Sequence, residues 1–286
     1  MNKNHAKLLL KLIFIIAALA FVFSKVEFEA VISQIKSVSP FYLLLAYILL
    51  VVAQIISSFR FSYYLETLGV SVNRLFCIGF YFAGMLCNTI LPGGIGGDGY
   101  KVYFLKKHAY IPAKSSIRLI ISDRASGLLW LLLLAYGAAY ISAAHNMIIY
   151  FNYLLLVAVF STIIGYLFSV RLLLKESLQT ALGASVYSFF VQIISLLIVF
   201  AILKGMGVDD GYAGYGLLFL ISSVLSIIPI SIGGIGIREL TFIMGAAPLG
   251  LDADIGVAIG LIYFVINLIC SLNGLFFWHR LEKLYK

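Results

Sequence analysis

The sequence predicts an all-α polytopic membrane protein, with about six transmembrane helices and two re-entrant glycine-rich hairpins in an inverted-topology repeat. Three observations lead to this prediction: the apolar composition, a glycine-rich motif that occurs twice, and the distribution of basic residues. Hydrophobic residues make up 63% of the 286 positions, charged residues make up only 11%, and the mean hydropathy is +1.07. A soluble domain of this size needs more charge to cover its surface. Several apolar runs are also long enough to cross a hydrocarbon core of about 30 Å.

The glycine-rich motif has the pattern P-x-x-I-G-G-x-G-x-[KR]. It begins at Pro92 and again at Pro229, 137 residues later, which is about half the length of the chain. A pattern of several fixed positions that recurs at this offset indicates two structural repeats. We expect a single membrane domain over 1–286, with one repeat over about 1–143 and the other over about 144–286.

Hydropathy places the spans in chain order. The first apolar run follows three lysines and ends at Phe23. A basic segment before a short apolar run is also typical of a signal peptide, but the repeat requires this run as a retained first span. The other five spans are predicted over 41–59, 117–141, 147–170, 180–203 and 255–278.

Each copy of the motif lies between two shorter segments. Residues 75–91 lead into the first copy and 100–111 follow it, whereas 212–228 lead into the second copy and 239–247 follow it. The segments that follow are too short to cross the membrane. We therefore interpret each pair as a re-entrant hairpin that returns to the side it entered. Irregular backbone at membrane depth is tolerated only where protein or a polar cavity covers it.

The basic residues determine the orientation. With a cytoplasmic N-terminus and two re-entrant hairpins, 15 of the 20 Lys and Arg fall in cytoplasmic segments, as the positive-inside rule requires. These segments are 1–11, 60–74, 101–118, 171–177 and 279–286. Both termini are then cytoplasmic, and the second half enters the membrane in the opposite sense to the first. The net charge of +8 follows from this topology, and we expect no nucleic-acid partner.

The motif also has the features of an anion-binding site. Glycines allow a positive φ and expose consecutive N–H groups, and a helix that starts after a break directs its positive end toward the break. The basic residue that ends each motif lies about one turn into that helix. The alternative is that the glycines only allow broken helices to pack closely. The predicted binding residues are Pro92, Gly93, Gly94, Gly96, Gly97, Asp98 and Lys101 in the first copy and Gly233, Gly234, Gly236, Arg238 and Glu239 in the second.

Asp123 and Arg124, in the first turns of the third span, complete the predicted site. A charge inside a span costs about 2.5–3.5 kcal/mol on insertion scales, so such residues usually pair or serve a polar path. The alternative is that neighbours in sequence only neutralise one another, as Asp98–Lys101, Asp123–Arg124 and Arg238–Glu239. The sequence shows no nucleophile, acid–base or metal-ligand constellation, and it therefore predicts neither an enzyme nor a cofactor or metal site.

The two motifs resemble those of the lysylphosphatidylglycerol synthase transmembrane (flippase-like) family. The resemblance rests on Leu91 to Asp98, on Pro229 to Glu239, and on the Asp123-Arg124 pair, which is similar to the acidic-Arg element of that family. It implies translocation of aminoacylated phosphatidylglycerol in the name-giving members, and an association with glycosyltransferases and polyprenyl-linked sugars in some relatives. The soluble synthase domain of those members does not follow here, so we do not expect aminoacyl transfer. The family pattern has Arg where this chain has Lys101.

The leading hypothesis is a lipid translocase of the plasma (inner) membrane. It would bind a phosphate-bearing headgroup between the opposed hairpins, either of an anionic or aminoacylated phospholipid or of a polyprenyl-phosphate-linked lipid. Two alternatives stay open: a non-transporting membrane subunit that presents lipid to a glycosyltransferase, and a small-solute secondary transporter. Membrane lipids are the expected partners, with a glycosyltransferase or a lipid-modifying enzyme as a second candidate partner.

Overall fold

A computed structural model of the chain describes most of its length, and the described residues are helical and contain no strand. Five helical segments are long and apolar enough to cross a membrane. The prediction of an all-helical, multi-pass membrane protein is therefore confirmed. The first predicted span lies outside the described residues, and so does the count of six that depends on it. The described residues are 28–90, 96–142, 150–227, 234, 236–278 and 280–281.

The first half contains two long helices with two shorter helices between them. A short amphipathic helix, α1, precedes them and buries Val31 against Val257 and Ala258 of the second half. Pro40 lies in the first turn of the first long helix, where its missing N–H costs nothing. The helices are α1 (Phe28–Ser37), α2 (Pro40–Thr67), α3 (Arg74–Ile90), α4 (Gly96–His108) and α5 (Ala113–Ile141).

The predicted end of the second span at Phe59 is wrong. Helix α2 continues to Thr67, so Arg60 lies inside the helix, where it is only 5% exposed. A lone arginine usually marks the end of a span, because a charge within the membrane is costly. Here the guanidinium has an acidic partner on α5, which removes the reason for the helix to end. Without Arg60, 14 of the 20 Lys and Arg remain in the predicted cytoplasmic segments, and the positive-inside rule still favours the predicted topology.

The second half repeats this order of elements. Ser177 caps the helix that begins at Leu178, because the Ser177 hydroxyl accepts a hydrogen bond from the Thr180 N–H at 3.0 Å. Its last span is interrupted at Leu272. The elements are α6 (Phe151–Phe168) with a π-helical turn at Ser169–Leu174, α7 (Leu178–Gly205), α8 (Tyr212–Leu225), α9 (Ile237–Ala246), α10 (Ala253–Ser271) and α11 (Asn273–Trp278).

The first glycine-rich motif joins α3 and α4 as an antiparallel helical hairpin. Gly97 lies against Gly84 near the break, and Phe104 lies against Phe76 toward the other end, with ring centroids 5.6 Å apart. A Cβ at Gly97 would overlap the Gly84 carbonyl. No glycine in the described part of this motif has a positive φ. The expected nest of N–H groups is therefore not seen there, and at Gly97 the absence of a side chain serves close helix packing.

The second motif joins α8 and α9 in the same way. Gly234 lies beside the Ser226 hydroxyl near the break, and Gly245 lies against Leu218 farther along both helices. Gly234 has a φ of 85°, a conformation that residues with a Cβ rarely adopt. In this copy the glycine therefore supplies the backbone freedom that the sequence predicts.

Helix α2 of the first half and helix α7 of the second half pack against each other in opposite directions. Near one end the Ser39 N–H, just before α2, donates to the Gly205 carbonyl of α7 at 3.0 Å. Toward the other end Arg60 Nη1 of α2 donates to the Ser188 hydroxyl of α7 at 2.8 Å. Both helices contain 28 residues. Helices α2 and α7 are thus antiparallel.

The other contacts between the halves are reciprocal. The last long helix of the first half, α5, packs on the first hairpin arm of the second half through Leu131 and Leu217. In return, α11 packs on α3, where the rings of Phe277 and Phe82 stack at 6.3 Å. Each half thus places its last long helical segment on the first hairpin arm of the other half.

We expect Gly97→Ala to destabilise the protein by about 1–3 kcal/mol, because the new Cβ would force α3 and α4 apart. Gly99→Ala is the matched control, since Gly99 lies on the same helix with nothing near its Cβ position. It should be neutral or stabilising by about 0.5–1 kcal/mol. Denaturant unfolding in detergent micelles measures both. Equal stabilities of the two variants would show that the close crossing at Gly97 is not required.

Candidate functional site

Both hairpin breaks contribute to one cavity of about 400 Å³ between the helices. Asn88 and Asp98 lie on either side of the first break, and Ser226 and Gly234 lie on either side of the second; all four line the cavity. Further walls come from the long helices of both halves. The volume is within the range of small-ligand sites, about 300–1,000 Å³.

The charge of this cavity comes entirely from the first half. Three cations face two carboxylates, which leaves a formal excess of one positive charge. The polar side chains that the described part of the second half contributes to the wall are neutral, namely Gln192, Ser226 and Asn267. The charged lining residues are Arg60, Asp98, Lys101, Asp123 and Arg124.

Arg60 and Asp123 form the most buried ion pair of the described residues. Arg60 Nε lies 2.6 Å from Asp123 Oδ1, and the two side chains are 6% and 8% exposed. The Tyr81 hydroxyl donates to Asp123 Oδ2 at 3.3 Å, and Ser188 accepts from Arg60 at 2.8 Å. This network fixes α2, α3, α5 and α7 relative to one another, because each helix supplies one of its members.

A second ion pair joins α4 and α5. Arg124 Nη2 lies 2.6 Å from Asp98 Oδ2, and the side chains are 37% and 21% exposed. The predicted alternative, in which neighbours in sequence neutralise each other, is therefore wrong for Asp98 and for Asp123. Asp123 and Arg124 are adjacent on α5 and point in different directions. Asp98 and Lys101 are three positions apart on α4, but Lys101 lies over the Tyr81 ring, and both acids pair with cations on other helices.

Lys101 lies on aromatic rings. Its Nζ is 3.7 Å from the centroid of the Tyr81 ring and 4.7 Å from that of Phe61, and the residue is 6% exposed. It forms no ion pair with any described residue. A cation over a ring face gains about 2 kcal/mol or more when water is excluded. Lys101 is therefore held in place while its charge stays available to the cavity.

Arg238 repeats this arrangement in the second half. Its guanidinium carbon is 5.2 Å from the centroid of the Phe219 ring and 4.6 Å from that of Tyr263. Lys101 and Arg238 are 137 residues apart, and the rings of Tyr81 and Phe219 are 138 residues apart. The basic residue that ends each motif thus lies over an aromatic ring of the preceding hairpin arm. The Nε of Arg238 is buried and has no hydrogen-bond partner among the described residues.

Glu239 has a structural role that the sequence did not predict. Its Oε2 accepts a hydrogen bond from the Gly236 N–H at 2.7 Å, and the residue is 1% exposed. The carboxylate therefore caps the start of α9, and it does not face the cavity. The predicted neutralisation of Arg238 by Glu239 is wrong as a direct ion pair.

The structure brings only part of the predicted site together. The predicted residues that line the cavity are Asp98, Lys101, Asp123, Arg124 and Gly234. Those that lie outside its wall are Gly96, Gly97, Gly236, Arg238 and Glu239, although Arg238 is next to Gly234. Pro92, Gly93, Gly94 and Gly233 fall outside the described residues.

The profile of the family described as "Lysylphosphatidylglycerol synthase TM region" matches residues 8–274 of this chain. The chain belongs to this family. A UPF0104 membrane protein of Methanocaldococcus jannaschii (MJ1595) is 26% identical over 124 residues, which is 43% of this chain. The match spans 36% of the length of that relative.

The range that matches the lysylphosphatidylglycerol synthase TM region family includes both hairpins and all charged residues that line the cavity. The sequence nevertheless missed several lining residues, above all Arg60 and Tyr81. The isolated polar residues Gln54, Gln192 and Asn267 also line the cavity. Each of these three is an isolated amide within an apolar helix, and this feature of the sequence could have identified them as lining residues. A single amide in a span usually faces protein or water and seldom faces lipid.

Asp123→Asn should destabilise this protein by about 3–5 kcal/mol, because it leaves the buried Arg60 guanidinium without an anionic partner. The double variant Arg60→Met, Asp123→Leu should recover most of this loss. Unfolding in detergent micelles measures both variants. Asp209→Asn is the control, since it breaks the exposed pair with Lys204 and should leave the unfolding midpoint nearly unchanged. A double variant as unstable as Asp123→Asn would contradict the ion-pair account.

Proposed function

We propose that this chain is a lipid translocase of the plasma (inner) membrane. A phosphate-bearing headgroup would bind in the cavity between the two hairpins while the acyl chains stay in the bilayer. The observation that carries the proposal is a cavity with excess positive charge, lined by residues on both sides of each glycine-rich break, inside a bundle of membrane helices. Membership of a family named after a phospholipid-modifying enzyme supports the lipid class.

The proposed topology is an inverted repeat with two re-entrant hairpins. The arms have 17 and 13 residues in the first hairpin and 14 and 10 in the second. At 1.5 Å per residue the longest arm is about 25 Å, shorter than a hydrocarbon core of about 30 Å. The antiparallel packing of α2 on α7 and the reciprocal contacts of α5 and α11 support opposite orientations of the two halves. The N- and C-termini are then cytoplasmic.

The two ion pairs would have different roles in headgroup binding. The Arg60–Asp123 pair is deeply buried and satisfied, so it maintains the architecture. The Asp98–Arg124 pair is more exposed, so an incoming phosphate can compete with Asp98 for the Arg124 guanidinium. Arginine binds phosphate oxygens through two parallel N–H bonds. Lys101 adds a second cation that no carboxylate neutralises.

Neutral polar groups would form hydrogen bonds with the rest of the headgroup. Gln54, Gln192 and Asn267 line the cavity beside the charged residues, and amides both donate and accept hydrogen bonds. A headgroup hydroxyl or amine can therefore be bound without another charge. Rocking of one half against the other would then open the cavity to either side in turn. A glycosyltransferase or another lipid-modifying enzyme would supply or consume the translocated lipid.

Translocation should be measured in liposomes with fluorescent anionic and zwitterionic phospholipids and a polyprenyl-phosphate analogue. We expect lipid movement above that of empty liposomes. Lys101→Gln should reduce the rate about tenfold or more, because a desolvated charge–phosphate contact contributes at least 1.4 kcal/mol. Lys107→Gln is the matched control. Lys107 lies on the same helix over the Tyr103 ring, 5.6 Å from its centroid, but outside the cavity.

Arg238→Ala tests the second half in the same assay. It should also slow lipid movement, because the guanidinium lies behind the Gly234 wall of the cavity. Absence of movement for all lipids in a folded, monodisperse wild-type preparation would overturn autonomous translocation. A search for a co-purifying glycosyltransferase would then test the subunit alternative.

A further inference from the structure

A second cavity, of about 300 Å³, lies among the ends of α2, α5 and α7 that the proposed topology places at the cytoplasmic face. Its wall includes Glu176, in the link between the π-helical turn and α7. The Oε2 atom of Glu176 is buried and has no hydrogen-bond partner among the residues that the structure describes. An ionised carboxylate oxygen without a donor is costly, whereas a protonated carboxyl group is much less so.

The groups around Glu176 do not supply a compensating charge. Tyr64 of α2 and Tyr166 of α6 face it, and the Ser122 hydroxyl of α5 lies beside it. The cations Arg118 and Lys175 line the same cavity, but neither forms an ion pair with Glu176 among the described residues. Burial raises the pKa of Glu176, and the contact with Ser122 offsets this only in part.

Two tyrosines lie within electrostatic range of both Glu176 and the central ion pair: Tyr64 interacts with Glu176 and Asp123, and Tyr166 interacts with Glu176 and Arg60. The Tyr64 hydroxyl donates to the Ser122 carbonyl at 3.2 Å. Tyr64 lies one turn from Arg60 on α2, and Ser122 is adjacent to Asp123 on α5, so the groups beside Glu176 lie within about one helical turn, about 5.4 Å, of the central ion pair. A change in the charge of Glu176 therefore acts on the central site through these protein groups.

We propose that Glu176 is the cytoplasmic proton-binding site of this protein, and that its protonation is linked to anionic headgroup binding in the central cavity. The lipid part rests on the proposed function; the proton site does not. One proton passes from cytoplasmic water through the second cavity to the Glu176 carboxylate and returns when the headgroup leaves. The chemistry is protonation alone, and no other bond changes.

The direction of the linkage follows from charge repulsion. For a separation on the order of 10 Å and an effective dielectric constant of about 20, repulsion between an ionised Glu176 and an anionic headgroup changes the affinity roughly tenfold. By reciprocity, headgroup binding raises the proton affinity of Glu176 by the same factor. Binding is therefore tighter below the pKa of Glu176 and weakens as the pH rises through it.

The test combines two measurements on purified protein in detergent. Infrared spectroscopy detects the carbonyl band of a protonated carboxyl group, and titration with phosphatidylglycerol gives the lipid affinity from mildly acidic to mildly basic pH. In the wild type we expect a protonated band and an affinity that falls about tenfold with rising pH. Glu176→Gln should remove the band and keep the affinity at the tighter value throughout. Glu66→Gln, at an exposed position at the same end of α2, should behave as the wild type.

The two proposals fail in different ways. A band that Glu176→Gln removes, in a protein that neither binds nor moves lipid, would support the proton site and overturn the proposed function. Lipid binding with the same pH dependence in Glu176→Gln as in the wild type would overturn the proton site and leave the translocase intact. A band at Glu176 combined with pH-independent lipid binding would overturn the linkage.

Discussion

The structure depends on the ion pair between Arg60 and Asp123. A single charge in the middle of a membrane helix is costly, so each of these residues requires the other, and the pair requires α2 and α5 to lie side by side. The 2.8 Å hydrogen bond from Arg60 to Ser188 adds α7 to this arrangement. Once these three helices are fixed, the space between them and the hairpins is polar, and the remaining charges can line it without facing lipid.

Aromatic rings offset the cost of burying the cations that end the two motifs. Lys101 and Arg238 have no carboxylate partner among the described residues, yet both are buried, and each lies over an aromatic ring of its own hairpin. A ring face stabilises a cation without neutralising it. The first of these cations lines the cavity and the second lies behind the Gly234 wall. This arrangement keeps positive charge near the cavity, as a binding site for phosphate requires.

The sequence predicts the framework of the fold better than its polar contacts. Apolar runs place the described spans within a few residues, and the repeated motif identifies both hairpins, because length and spacing are local properties. The end of α2 was wrong because Arg60 is paired across helices, and a one-dimensional pattern does not contain that contact. For the same reason the partners of Asp98 and Asp123 were missed. Gly97 and Gly234 look alike in sequence, but one allows close packing and the other a positive φ, and only the three-dimensional surroundings distinguish them.

The central claim is that the headgroup binds within the cavity. A larger side chain that fills the cavity without removing a charge tests this claim most directly. Gly127 lines the cavity, and a Cβ at that position would meet Gln192 and Arg60 only at ordinary contact distances of 3.6 and 3.7 Å. Gly137 lies on the same helix with open space around it. Native mass spectrometry should show a retained anionic phospholipid on the wild type and on Gly137→Leu, and none on Gly127→Leu. Equal retention on a folded Gly127→Leu variant would contradict the account.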